Sequence, residues 1–248
     1  MSEPDKIEPN LTAVRLIVCE LRYEGGTSVN DGQIFLAIHR ELGGYDGPYP
    51  KAQKHQIPAS NMVVGEGGVQ ESAATSQRAW RLLSEDDRWV VTFAPESFSL
   101  QATGDTAWEG LFRDRLASVI DAVTKHITPV MEQRLGLRCV VQMTASSLGA
   151  PHEWRRYVSP ELLGLALHEQ LGPTLVALEQ LTTSDAGNGA RCTIRGGFFP
   201  DPVHDNIPTY RLDIDVHREG LRGFDPAGIK ASGLQFVVLD RHTPGCMY

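Results

Sequence analysis

The chain has 248 residues, 41% of them hydrophobic and 22% charged, a globular composition with room for a large core, which excludes collagen-like, wholly disordered and multi-span membrane chains. Lys and Arg number 23 against 31 Asp and Glu, for a formal net charge of −8. The field of such a chain repels nucleic acid and anionic lipid, so neither is an expected partner.

Residues 1–12 are polar, carry Pro4 and Pro9, and read as a flexible leader. They lack the apolar stretch of a secretory signal, and no run anywhere reaches the ~18 apolar residues of a membrane span. A cytoplasmic location is the expectation. From Ala13 to Tyr23 the run AVRLIVCELRY is β-branched and apolar, as in a strand buried on both faces. Asn30 or Asp31 is placed to cap a helix in which Ile34, Phe35, Ile38 and Leu42 recur at helical spacing, and Gly43-Gly44 ends it. Residues 45–76 are rich in Gly, Pro and Ser and read as a long irregular loop, a place for mobility or function.

Arg78 to Ala102 reads as a three-stranded meander, because two short turns leave antiparallel pairing as the only geometry. Thr106 and Glu109 fit a capping box, and a stripe from Trp108 through Leu111, Leu116, Ile120 and Val123 to Ile127 predicts a helix of about 20 residues that Pro129 stops. Leu137–Met143 is a further strand. Ser159-Pro160-Glu161 opens a short helix expected to reach Leu171. Leu175–Thr182 and Ala190–Phe199 form a hairpin, and Tyr210–His217 alternates apolar with charged residues, so one of its faces should be wet. Leu234–Leu239 has the composition of a final strand. The order β-α-βββ-α-β-α-βββ is α+β, a mainly antiparallel sheet with two or three packed helices. Residues 13–240 form one domain in this reading, and 241–248 form a tail.

The chemistry-bearing residues concentrate late in the chain. Asp201, His204, Asp205, Asp213, Asp215 and His217 are side chains of the kind a divalent ion needs, and Asp213, Asp215 and His217, two residues apart in turn, share one strand face. His204, Asp213, Asp215 and His217 are therefore the candidate metal ligands, although a solvated strand face has the same pattern. No nucleophile elbow, zincin motif, phosphate loop or dinucleotide fingerprint occurs, so no organic cofactor is expected. Trp154-Arg155-Arg156-Tyr157 pairs aromatic with basic groups, as in a contact for an acidic partner or in a loop anchored by its Trp. Cys19, Cys139 and Cys192 sit in apolar strand-like runs and read as reduced small hydrophobes. Cys246, Met247 and Tyr248 form a tail suited to docking or modification, though not a prenylation box.

Cys19-Glu20-Leu21-Arg22-Tyr23, the meander with Trp89-Val90-Val91-Thr92-Phe93, the Trp108-led helix, Arg134-Leu135-Gly136-Leu137-Arg138 and Leu212-Asp213-Ile214-Asp215-Val216 follow one another in an order that resembles a family. It is a sporadically distributed bacterial family of uncharacterised cytoplasmic α+β proteins of similar length, and the resemblance covers residues 12–225. It implies a scaffold and brings no catalytic residue with it. After Phe224-Asp225-Pro226 the sequence departs from the family's long C-terminal helix, because Gly228, Gly233 and the β-rich 234–239 disfavour one. The functions expected are therefore a non-enzymatic accessory protein acting through a protein partner, as in a bacterial defence or peptide-modification locus; a metal-dependent enzyme using the Asp201–His217 cluster; or a folded substrate modified on its tail. Homo-oligomers are compatible with all three.

Overall fold

The structure is a computed structural model, and it describes residues 14–57, 62–65, 68–71, 77–104, 108–144, 154–155, 158–201 and 206–235. It is α+β, with elements in the order β-α-ββββ-α-β-α-βββ-α. The strands are β1 (Val14–Glu24), β2 (Lys51–Ile57), β3 (Met62–Gly65), β4 (Gly68–Glu71), β5 (Gln77–Leu83), β6 (Trp89–Ala94), β7 (Ser97–Thr103), β8 (Met131–Thr144), β9 (Leu178–Gly187), β10 (Ala190–Asp201) and β11 (Ile207–Gly223). Nine of them form one antiparallel sheet, in the order β2-β5-β6-β7-β1-β8-β11-β10-β9, and β3 pairs with β4 apart from it. The helices are α1 (Gly32–Glu41), α2 (Arg113–His126), α3 (Pro160–Leu163) and α4 (Pro226–Gln235).

Strand β1 lies at the sheet's centre, bonded to β7 and β8. Its Ile17, Cys19, Leu21 and Tyr23 are buried, while the residues between them are half-buried or exposed. This corrects the expectation of burial on both faces. One face of β1 carries the core, where Phe35 and Ile38 of α1, Leu116, Val119, Ile120 and Val123 of α2 and Ile229 of α4 meet Leu21, Phe93, Phe98 and Leu100. A second, smaller cluster lies at the other end of the same face, where Trp154 and Leu163 pack with Met143, Phe198 and Tyr210. No described helix contributes to the opposite face.

The meander appears as β5, β6 and β7, and the late hairpin as β9 and β10. Asp31 caps α1, its carboxylate accepting from the Gln33 amide at 2.9 Å. Four further expectations need correction. The Gly- and Pro-rich stretch contains β2, which pairs residue by residue with β5, and the β3–β4 hairpin; a polar edge strand has no apolar alternation to announce it. The Trp108 helix opens with a π turn at Trp108–Phe112 before α2, and Leu111 points outward, 54% exposed; Thr106 lies outside the described residues. The helix expected to reach Leu171 stops at Gly164, whose φ of +46° leaves the right-handed region, and the chain continues in short 3-10 turns.

The fourth correction is α4, which forms across Gly228 and Gly233, expected to disfavour a helix, and takes in Leu234 and Gln235 of the expected strand, whose residues 236–239 lie outside the described residues. Asp225 starts it, accepting from the Ala227 amide at 3.1 Å, with Pro226 in the first turn. Ile229, 2% exposed, docks it into the main core, and Lys230 pairs with Asp121 of α2. Tertiary burial here outweighs the roughly 1 kcal/mol that each glycine costs a helix. Cys19 and Cys192 are buried, Cys139 is half-buried, and none of the three forms a disulfide among the described residues. Burial raises the Cys19 thiol to a pKa of about 12, which keeps it protonated and inert at neutral pH.

Candidate functional site: the helix-free sheet face

In an antiparallel ladder directly paired residues share a face, so register alone assembles this surface. Val18 pairs with Arg138, which pairs with Asp215, which pairs with Thr193. One step along, Glu20 lies opposite Gly136, Gly136 opposite His217, and His217 opposite Arg191. In the other direction Val140 lies opposite Asp213, and Asp213 opposite Arg195. The three co-facial residues expected on β11 are thus embedded between arginines of β8 and β10.

Arg138 grips Asp213 with both ends of its guanidinium, Nε donating to Oδ1 at 2.8 Å and Nη2 to Oδ2 at 2.6 Å. Those bonds hold the Arg138 proton more firmly still, above the ordinary arginine range. Arg134 is the hub of the neighbouring group, with nitrogens 3.6 Å from Glu20, 3.5 Å from Asp215 and 3.5 Å from Glu219. It reaches them by folding over Gly136, where a Cβ would stand 2.6 Å from its Nη1. His217 places Nδ1 3.2 Å from an Asp215 oxygen, but in an orientation that makes no hydrogen bond.

Asp213, Asp215 and His217 are therefore brought together on one face, as expected, but in a lattice of guanidinium groups. His204 lies outside the described residues, as do Asp205 and the tail Cys246, Met247 and Tyr248. Asp213 has both oxygens engaged by Arg138, and Asp215 lies against Arg134, so a cation bound at these carboxylates would have to displace arginines. Among the described residues no group of three or more His, Cys, Asp or Glu converges as metal ligands would.

Sequence reading missed the arginines. Arg134 and Arg138 are four residues apart on β8, and Arg191 and Arg195 four apart on β10, which in a strand is one face; that spacing was the available signal. On this face exposed Arg191, which stands opposite Asp185 of β9, and exposed Arg211, whose guanidinium lies 5.3 Å from the Phe199 ring centre, make no ion pair among the described residues. Trp154 is wholly buried against Phe198 and Tyr210, as a loop anchor would be, while Arg156 and Tyr157 lie outside the described residues.

Apart from this face, an open cleft of about 390 Å³ lies at the α1–α2 side and is lined by Glu41, Tyr49, Asp114, Arg115 and Asp121 among others. Arg115 is stacked between Trp89 and Tyr49, 4.3 and 5.3 Å from their ring centres. Glu41 is tied to Lys125 and Asp121 to Lys230, so both carboxylates serve to fasten helices. Neither a family model nor a curated protein matches the chain. The described residues contain no helix long and apolar enough to cross a membrane.

Proposed function

We propose that the protein is a non-enzymatic binding protein that acts through a protein partner, and that an acidic surface of the partner lies across the helix-free face. One observation carries this reading: on a chain of net charge −8, this face draws guanidinium groups from β1, β5, β8, β10 and β11, and its exposed Arg191 and Arg211 make no ion pair among the described residues, Arg191 standing opposite Asp185 in the ladder without closing one. Arginine's planar fork recognises carboxylates in pairs and is enriched at interfaces. The Arg134 and Arg138 ion pairs tie β1, β8 and β11 together beneath, a preformed platform that loses little freedom on binding. The resemblance to a sporadically distributed bacterial family fits an accessory role of this kind in a defence or peptide-modification locus.

The test is isolation of the full chain from its native host, as wild type and as Arg191→Gln/Arg211→Gln. The expected result is a stoichiometric protein that accompanies wild type and is lost from the double variant, with the two chains unfolding at the same temperature. Isolation with no stoichiometric protein, or with one that ignores the double variant, overturns the reading.

A further inference from the structure

The two edges of the sheet differ. At one edge, β2 carries Lys51 and Lys54. Lys51 donates to the Glu85 carbonyl at 2.6 Å and to Asp87 at 3.1 Å, and Lys54 lies 5.4 Å from the Trp80 ring centre. Lysines on an edge oppose its pairing with another strand. At the other edge, β9 reads LEQLTTSDAG, without Lys, Arg or Pro. It bonds to β10 on one side, and no described strand pairs with its other side. Four of the chain's exposed large apolar residues lie between positions 165 and 181: Leu165, Leu171, Val176 and Leu181, which are 56%, 47%, 76% and 62% exposed.

We infer that β9 pairs antiparallel with β9 of a second copy, about a two-fold axis through Leu181, joining two nine-stranded sheets into one. An axis perpendicular to the sheet keeps the helices of both copies on the same side, and opposed residues must then share a face, so the axis passes through a residue. An axis through Thr182 sets Glu179 opposite Asp185 twice, two like-charge pairs. An axis through Thr183 sets Leu181 opposite Asp185. An axis through Leu181 sets the two copies of this exposed leucine against each other, Glu179 against Thr183, and Leu178 against Ser184. Of these three axes it alone leaves no charge opposed to a like charge or to a leucine, and it pairs more of β9 than any axis placed farther toward Gly187. Because β9 contributes Glu179 and Asp185 but no cation, the dimer tightens as salt rises, the reverse of an association held by ion pairs.

The register supplies its own test, by sedimentation of the full chain with circular dichroism to check folding. Wild type sediments as a dimer. Leu181→Lys and Leu181→Glu each sediment as monomers, because each sets two like charges together on the axis, and an equimolar mixture of the two recovers the dimer through a Lys–Glu pair. A monomeric wild type, a dimer that either single variant leaves intact, or a mixture that stays monomeric overturns the proposal. This inference is independent of the partner-binding face: a monomeric chain that still lost its partner on Arg191→Gln/Arg211→Gln would sink the dimer alone.

Discussion

Two arginine–carboxylate pairs clasp β8 to β11, one on each face of the sheet. Arg218 holds Glu132 at 2.7 and 2.8 Å, and Arg138 holds Asp213 at 2.8 and 2.6 Å. The chemistry is the same and the cover is not. Glu132 and Arg218 have side chains only 2% and 16% exposed, whereas Asp213 is 10% and Arg138 50% exposed. A bulge makes the difference: Arg22 pairs with Arg134 but Tyr23 pairs with Glu132, so Gln133 is an extra residue that turns Glu132 onto the helix-covered face. What covers an ion pair, more than its geometry, decides whether it is part of the fold or part of a surface.

The largest expected effect follows from the covered pair. Arg218→Ala leaves the buried Glu132 carboxylate with Arg222 alone, its Nε 3.8 Å away, and lowers unfolding free energy by about 3 kcal/mol, read by urea denaturation, whereas Glu132→Leu/Arg218→Met recovers most of the loss because both charges of the close pair leave together. If the double variant were as unstable as the single, cover would not be the governing difference. Arg138→Ala leaves Asp213 close to water and costs less, about 1–3 kcal/mol by the same measurement. An Arg138 effect as large as that of Arg218 would erase the contrast between the faces. Arg191→Gln/Arg211→Gln, at the open end of the comparison, changes stability by no more than about 0.5 kcal/mol, read as an unshifted urea midpoint.

How legible these features are in the sequence follows from the same contrast. Alternation on β11 is readable because each residue's own polarity reports its side, and the co-facial Asp213, Asp215 and His217 come with it. Burial of β1 on one face only is not readable, since that depends on where α1, α2 and α4 dock. β2, as a polar edge strand, gives no hydrophobic period, and its existence rests on main-chain pairing with β5. The arginines that surround the candidate site come from β8 and β10, strands whose adjacency to β11 is a property of topology. Helix α4 illustrates the opposite case: its start at Asp225-Pro226 is written locally, but the burial of Ile229 that sustains it is not.

The smallest effect belongs to a carboxylate with no cover. Asp86, in the turn between β5 and β6, accepts from Ser84 Oγ at 2.6 Å and from the Arg88 amide at 3.2 Å. The Ser84 bond first, and the Arg88 amide after it, hold the Asp86 carboxyl below its ordinary range. A carboxylate whose pKa is lower folded than unfolded stabilises the fold above the ordinary aspartate value near ~4, and that contribution fades as pH falls through the folded pKa. Asp86→Asn removes the titrating group and keeps one oxygen to accept. The variant is therefore slightly less stable than wild type at neutral pH, and the two stability curves converge in acid, checked by urea midpoints across an acid series. A gap that stayed constant into acid would mean that the turn depends on shape and not on charge. The graded sequence from Glu132 through Asp213 to Asp86 would then lose its exposed end.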